Sequence, residues 1–211
     1  MTPPSFNPLD YSALSTSLAD ALMASPLVPL DSIEPFYGYG VYALFYTGDM
    51  PAYSVLAKQN RHQPGSWPIY IGKSSPSTRK GTRDASDIDS PDLGTGLYNR
   101  VAKDHRKSIE QAINLNVEDF TARLLVLSYM WVPLAETALI ARYAPIWNSF
   151  VDGFGNHDPG KGRANGRMSR WDTLHPGRGR DKYAPLPQTP QQLEQEISSQ
   201  LDTIAQREFG D

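Results

Sequence analysis

Cysteine is absent from the 211 residues, which removes disulfide frameworks, zinc ribbons and thiol nucleophiles from the available chemistry. No stretch reaches the ~18 consecutive apolar residues of a membrane span. The opening MTPPSFNPLDYSALS has neither the basic flank nor the apolar run of a signal peptide, so a soluble cytoplasmic protein is expected. Apolar residues make up only 39% of the chain, while Gly and Pro number 16 and 18. Much loop and extended surface around a modest core follows, in one domain with embellishments.

Positive charge is also scarce overall, at a net −3, but it is unevenly placed. Residues 1–36 hold four acids and no Lys or Arg, and residues 185–211 hold five acids and one Arg. The stretch 37–184 therefore carries 19 basic and 14 acidic side chains, a net +5. Within it, KGRANGRMSRWDTLHPGRGRDK (161–182) sets seven Lys/Arg against two Asp. A local basic surface matters more to a polyanionic partner than the whole-chain balance; the plain alternative is a solvated loop.

Several familiar sites are missing. GNHDPGKG has phosphate-loop spacing, but Gly162 stands where a magnesium-binding Ser or Thr is needed, and no strand precedes it. His62, His105, His157 and His175 are scattered without metal-ligand spacing, and the HPG at 175–177 reads as a turn. No G-x-S-x-G elbow occurs.

Hydrophobic patterning predicts a helix near 11–24, then strands at GVYALFYTG (40–48) and PIYIGKS (68–74). The polar segment between them is too long for a hairpin turn and reads as an insertion. Residues 75–96 read as loop. LYNRVAKDHRKSIEQAI (97–113) reads as a helix, FTARLLVLSYMWV (120–132) as a strand, and Pro133 opens a further helix. A Gly-rich stretch and a terminal amphipathic helix over 189–209 complete the chain. This order predicts an α+β domain with a small antiparallel sheet of three strands flanked by helices.

Singly, the notable polar residues have ordinary explanations. Tyr42 and Tyr70 suit strands, Arg100 suits a surface and His105 an apolar helix stripe. Glu136 suits a helix N-terminus, and Asn148 suits a turn. In this order, however, Gly40-Val41-Tyr42, Tyr70-Ile71-Gly72, Arg100, His105, Glu136 in AETALIARYAPIWN, and Asn148 resemble the GIY-YIG nucleases over about 37–150. WNSFVDGFGNHDPGKGR and WDTLHPGR are similar to the extension of its type II restriction endonuclease branch. One departure stands out. The family spaces its helical Arg and His four apart, whereas here they are five apart. On an ideal helix that turns His105 about 140° away from Arg100. A π-bulge absorbing one residue would correct it; otherwise Asp104 faces the site.

The resemblance implies an N-terminal arm (1–36), a catalytic core (37–150), a DNA-contacting extension (151–188) and a C-terminal helix (189–211). It implies magnesium-dependent hydrolysis of DNA phosphodiesters at a short palindromic site. Glu136 would hold one divalent ion, since a second core carboxylate is lacking. Tyr42 would activate water with help from His105 or Lys73, Tyr70 would bond water or phosphate, Arg100 would neutralise phosphate, and Asn148 would hold the geometry. DNA contacts are expected from Arg61 and His62 in the insertion, from Arg79, Lys80 and Arg83 in the 75–96 loop, and from Lys161, Arg163, Arg167, Arg170, Arg178 and Arg180. A palindrome implies a homodimer joined through the acidic terminal segments, and a restriction enzyme implies a companion DNA methyltransferase. A structure-specific or homing-type nuclease, a non-catalytic DNA-binding module on the same fold, and an unrelated α+β protein are the competing readings.

Overall fold

The computed structural model describes residues 11–75, 94–156 and 166–209. Its elements in chain order are α1 (Tyr11–Ala24), β1 (Val28–Pro29), β2 (Gly40–Tyr46), α2 (Ser54–His62) and β3 (Tyr70–Ser74). A continuous helical segment follows: α3 (Gly96–Tyr98), a π-helical stretch (Asn99–His105) and α4 (Arg106–Gln111). Then come β4 (Phe120–Val126), α5 (Val132–Tyr143), α6 (Ile146–Ser149), α7 (Arg170–Leu174) and α8 (Pro190–Phe209). Among the described residues no helix is long and apolar enough to cross a membrane.

The sheet is antiparallel in the order β1-β4-β2-β3. It has four strands rather than the three expected. The extra one is the two-residue β1, paired through Val28 and Pro29 with Ala122 and Thr121. It is too short to carry a period-two pattern, and proline is tolerated there because an edge strand can lack an N–H donor. All seven residues of β2 are buried, which explains an apolar run without polar alternation. Tyr42, Leu44 and Tyr46 enter the larger core with Leu97, Ile109, Trp147 and Trp171. Val41, Ala43 and Phe45 face the opposite side, where α1 and α5 contribute Leu22, Ala135 and Leu139.

Two segments differ from the sequence reading. The strand expected over 120–132 ends at Val126. Ser128 O accepts the Trp131 N–H at 2.9 Å, and Met130 and Trp131 are exposed, so the apolar run after Val126 is a turn leading into α5. The polar insertion is not a bare loop either. It folds as α2, burying Leu56 and Ala57. Buried Asn60 donates to Trp67 O at 2.8 Å and accepts from Trp67 N at 2.9 Å. That side chain supplies backbone partners which no strand provides here.

His175, expected in a turn, is fully buried. Trp147 Nε1–H donates to Tyr53 Oη at 2.8 Å, and Tyr53 Oη lies 2.8 Å from His175 Nε2. Asn114 Oδ1 lies 3.0 Å from His175 Nδ1. Burial lowers the imidazole pKa to about 3, so the ring is neutral. The chain of donors is then consistent with the proton on Nδ1, leaving Nε2 to accept from Tyr53. α8 buries Leu193, Ile197 and Leu201 in the same core, so both terminal helices belong to the fold through their apolar faces.

Candidate active site

The site begins with strand register. Tyr42 on β2 lies opposite Gly72 on β3, so both point to the same side of the sheet. A Cβ at Gly72 would collide with the Tyr42 phenol and lie 2.9 Å from Tyr70 Cε1. The glycine of the second motif therefore leaves the slot in which the tyrosine of the first one rests. The two phenol rings lie 6.1 Å apart.

The helix brings up the third ring. Residues Asn99–His105 are π-helical, and the Arg106 N–H reaches back to Val101 O. This i→i+5 bonding absorbs the extra residue between Arg100 and His105. Val101 and His105 are both buried while Asp104 is exposed, so His105 rather than Asp104 faces inward. Its Nε2 is hydrogen-bonded to Tyr42 Oη, and its ring packs edge-on against Tyr70 at 5.4 Å. Arg100 donates through Nη2 to Gly155 O at 2.9 Å and pairs more loosely with Asp104 at 3.7 Å.

Burial raises the pKa of Tyr42 well above that of a free phenol, and the neighbouring Tyr70 pushes the same way while Arg100 opposes. Tyr70 is also raised, by burial first, with Arg100 opposing and the Glu136 carboxylate adding to the rise. Both are neutral phenols in the folded protein.

Lys73 and Glu136 approach from the other face of the sheet. Ile71 on β3 packs with Ala135 and Leu139 of α5, and two residues on, Lys73 Nζ lies 2.6 Å from Glu136 Oε2. β3 is an edge strand, so groups from both faces meet around it. Asn148 secures that edge. Its Oδ1 accepts from Ile71 N and its Nδ2 donates to Ile71 O, each at 2.8 Å.

The structure thus gathers Tyr42, Tyr70, Lys73, Arg100, His105, Glu136 and Asn148 around β3. It also adds Phe154, which sequence reasoning passed over. Phe154 stacks on His105 with centroids 4.6 Å apart and an 18° interplanar angle, and it meets Tyr70 edge-on at 4.9 Å. Nothing in DGFGN singles it out, because its partners are 49 and 84 residues away in sequence.

The basic residues expected at DNA are dispersed. Arg61 pairs with Asp49 at 2.9 Å and donates to Thr47 O at 2.8 Å, at the end of β2 remote from Tyr42. His62 is exposed beside it. Arg167 is exposed, whereas Arg170 donates to Phe150 O at 3.0 Å and lies 4.4 Å over the Phe150 ring. Arg178 and Arg180 are not surface cations. The Arg178 side chain is 4% exposed, paired with Asp172 at 2.7 Å, and 4.2 Å over Trp171. Arg180 is buried near the same carboxylate. Asp172 within the basic run is the sequence signal for this inward turn. Arg79, Lys80, Arg83, Lys161 and Arg163 lie outside the described residues.

Among the described residues, no three His, Asp or Glu side chains come together as a metal cage. Glu136, partly exposed, offers one oxygen donor set. Magnesium commonly binds through one or two carboxylates, retaining waters and substrate phosphate oxygens in its shell, so Glu136 fits that ion as a single anchor.

The family model of the Eco29kI GIY-YIG domain matches residues 34–201. That span includes β2, β3 and β4, the π-helical segment, Phe154 and most of α8. No curated protein matches the chain.

Proposed function

The chain belongs to the Eco29kI GIY-YIG family of restriction endonucleases, and on that premise we propose that it is a type II enzyme. It hydrolyses both strands of duplex DNA at a short palindromic site, using one magnesium ion per active site. The observation that carries this reading is the buried hydrogen bond between Tyr42 Oη and His105 Nε2, formed despite the five-residue spacing.

Tyr42 is too weakly acidic, with its raised pKa, to stand as a free phenolate near neutral pH. The pairing supports a relay instead. As the phenol accepts a proton from the attacking water, it passes its own proton to His105 Nε2. The water oxygen bonds to phosphorus, the bond to the leaving sugar oxygen breaks, and that oxygen takes a proton from solvent. Arg100 keeps Nη2 on Gly155 O and holds a phosphate oxygen through its other guanidinium donors. Tyr70 orients water or phosphate. Glu136 holds the magnesium, and Lys73, released from the carboxylate, orients the water. Bound magnesium supplies positive charge to the phosphate oxygens.

His62, Arg79, Lys80, Arg83, Lys161, Arg163 and Arg167 contact DNA. Two copies joined through the N-terminal arm and the C-terminal helix α8 serve the two strands, and a companion methyltransferase protects host DNA. The test is digestion of unmethylated phage-sized DNA with magnesium and with EDTA. A fixed band ladder only with magnesium is expected. A smear or relaxed circles would replace this reading with a nonspecific or structure-directed nuclease, and a gel shift without cleavage would replace it with a binding module. A monodisperse monomer by light scattering, on and off DNA, would rule out the dimer.

A further inference from the structure

We infer that Phe154 and Gly155, carried by the extension rather than the core, are positioning residues that hold His105 against Tyr42 and keep Arg100 beside the phenols. The inference rests on the relay reading above. Phe154 is 2% exposed and His105 1%. The phenyl ring covers one imidazole face at 4.6 Å, while the Tyr70 and Tyr42 rings crowd the imidazole at 5.4 and 5.3 Å. The ring is thus confined to an orientation in which Nε2 meets the phenol. A misplacement of ~1 Å at such a contact costs on the order of 10²-fold in rate.

Gly155 acts through its carbonyl and through its lack of a side chain. Its oxygen accepts from Arg100 Nη2. Its φ of +38° suits glycine, and a Cβ there would lie 3.0 Å from Tyr70 Oη, 3.1 Å from Arg100 Nη2 and 3.2 Å from His105 Cε1. Three site residues converge on the space that one methyl group would fill.

The preceding residue is anchored independently. Arg178 Nη2 donates to Gly153 O at 3.0 Å and Arg178 Nε to Asp172 Oδ1 at 2.9 Å. Ser169 Oγ, itself bonded to Asp172 at 2.6 Å, fills the space beside Gly153. The buried ion pair of the extension therefore fixes the backbone from which Phe154 projects. This gives the inward-turned arginine a role that DNA contact does not.

The test compares Phe154→Ala, Phe154→Leu and Gly155→Ala with the parent protein in two ways. Single-turnover cleavage is set against DNA affinity measured in EDTA, and the His105 imidazole nitrogens are followed by ¹⁵N NMR without DNA. Phe154→Ala should lower the cleavage rate on the order of 10²-fold with affinity held within about two-fold, and should shift the His105 nitrogens toward a tautomer average. Phe154→Leu, which keeps apolar cover without a stacking plane, should fall between. If the alanine protein does not fold, the leucine protein decides by the same two measurements. Unchanged His105 nitrogens, or parallel losses of rate and affinity, would overturn the assignment. A parent protein that cleaves no DNA would defeat the nuclease reading alone, and the NMR comparison would still decide whether Phe154 positions the ring.

Discussion

Glu136 and Tyr42 sit on opposite sides of one edge strand, and their substitution should separate metal from proton chemistry. Glu136→Gln should lower cleavage by at least about 100-fold, a loss of several kcal/mol of charge stabilisation, while gel-shift affinity stays near the parent's. A protein that cuts at the normal rate would remove Glu136 from the metal. Tyr42→Phe keeps the ring in the slot left by Gly72 but deletes the group bonded to His105. A rate loss of about 10²–10⁴-fold is expected, with stability lowered by about 1–3 kcal/mol because buried His105 Nε2 loses this hydrogen bond; rapid-quench kinetics and calorimetry read the two effects. These residues are legible in sequence because their motifs are local and chemically distinctive. Phe154 is not, because its role arises from stacking across elements. Arg178 and Arg180 mislead for the related reason that a basic run does not reveal which of its members find a buried carboxylate.

The π-helical stretch Asn99–His105 is the element on which the site turns. Deleting Asp104, an exposed residue, should restore the four-residue spacing and an ordinary helix, with the Tyr42 contact retained. Cleavage within about tenfold of the parent is expected, since α-helical spacing also puts residues four apart on one face. A folded deletion protein with no activity would show instead that the widened turn sets the imidazole angle. Asn148→Ala should strip both bonds from the buried Ile71 backbone and cost about 1–3 kcal/mol, measured as a lower urea midpoint. The long elements follow visibly from periodicity: α1, β2, α5 and α8 lie close to their expected places. The short β1 and the helix α2 do not announce themselves. The first has only two residues, and the second buries its apolar side beneath a sequence that is polar on average.

At the scale of the whole molecule, buried titratable rings bound the pH range of stability. His175 has a folded pKa of about 3 against ~6.5 when unfolded. The unfolded chain therefore binds more protons between these values, and stability falls as pH drops below about 6.5. Burial raises Tyr42, Tyr46, Tyr53 and Tyr70. The folded state then holds protons that the unfolded chain releases above ~10, and stability falls there as pH rises. Urea midpoints should form a plateau between these limits, and His175→Gln should flatten the acid side; an unchanged acid slope would contradict the assignment. The sheet itself carries one more consequence. At one edge, β1 has only two residues, one of them a proline. At the other, Asn148 occupies both Ile71 backbone groups, and Trp147 N takes Ile69 O at 3.0 Å. Neither margin offers a ready template for a fifth strand. Two copies in an assembly would therefore meet through helices and loops, and crowding the protein to high concentration should not extend the sheet from one molecule into the next.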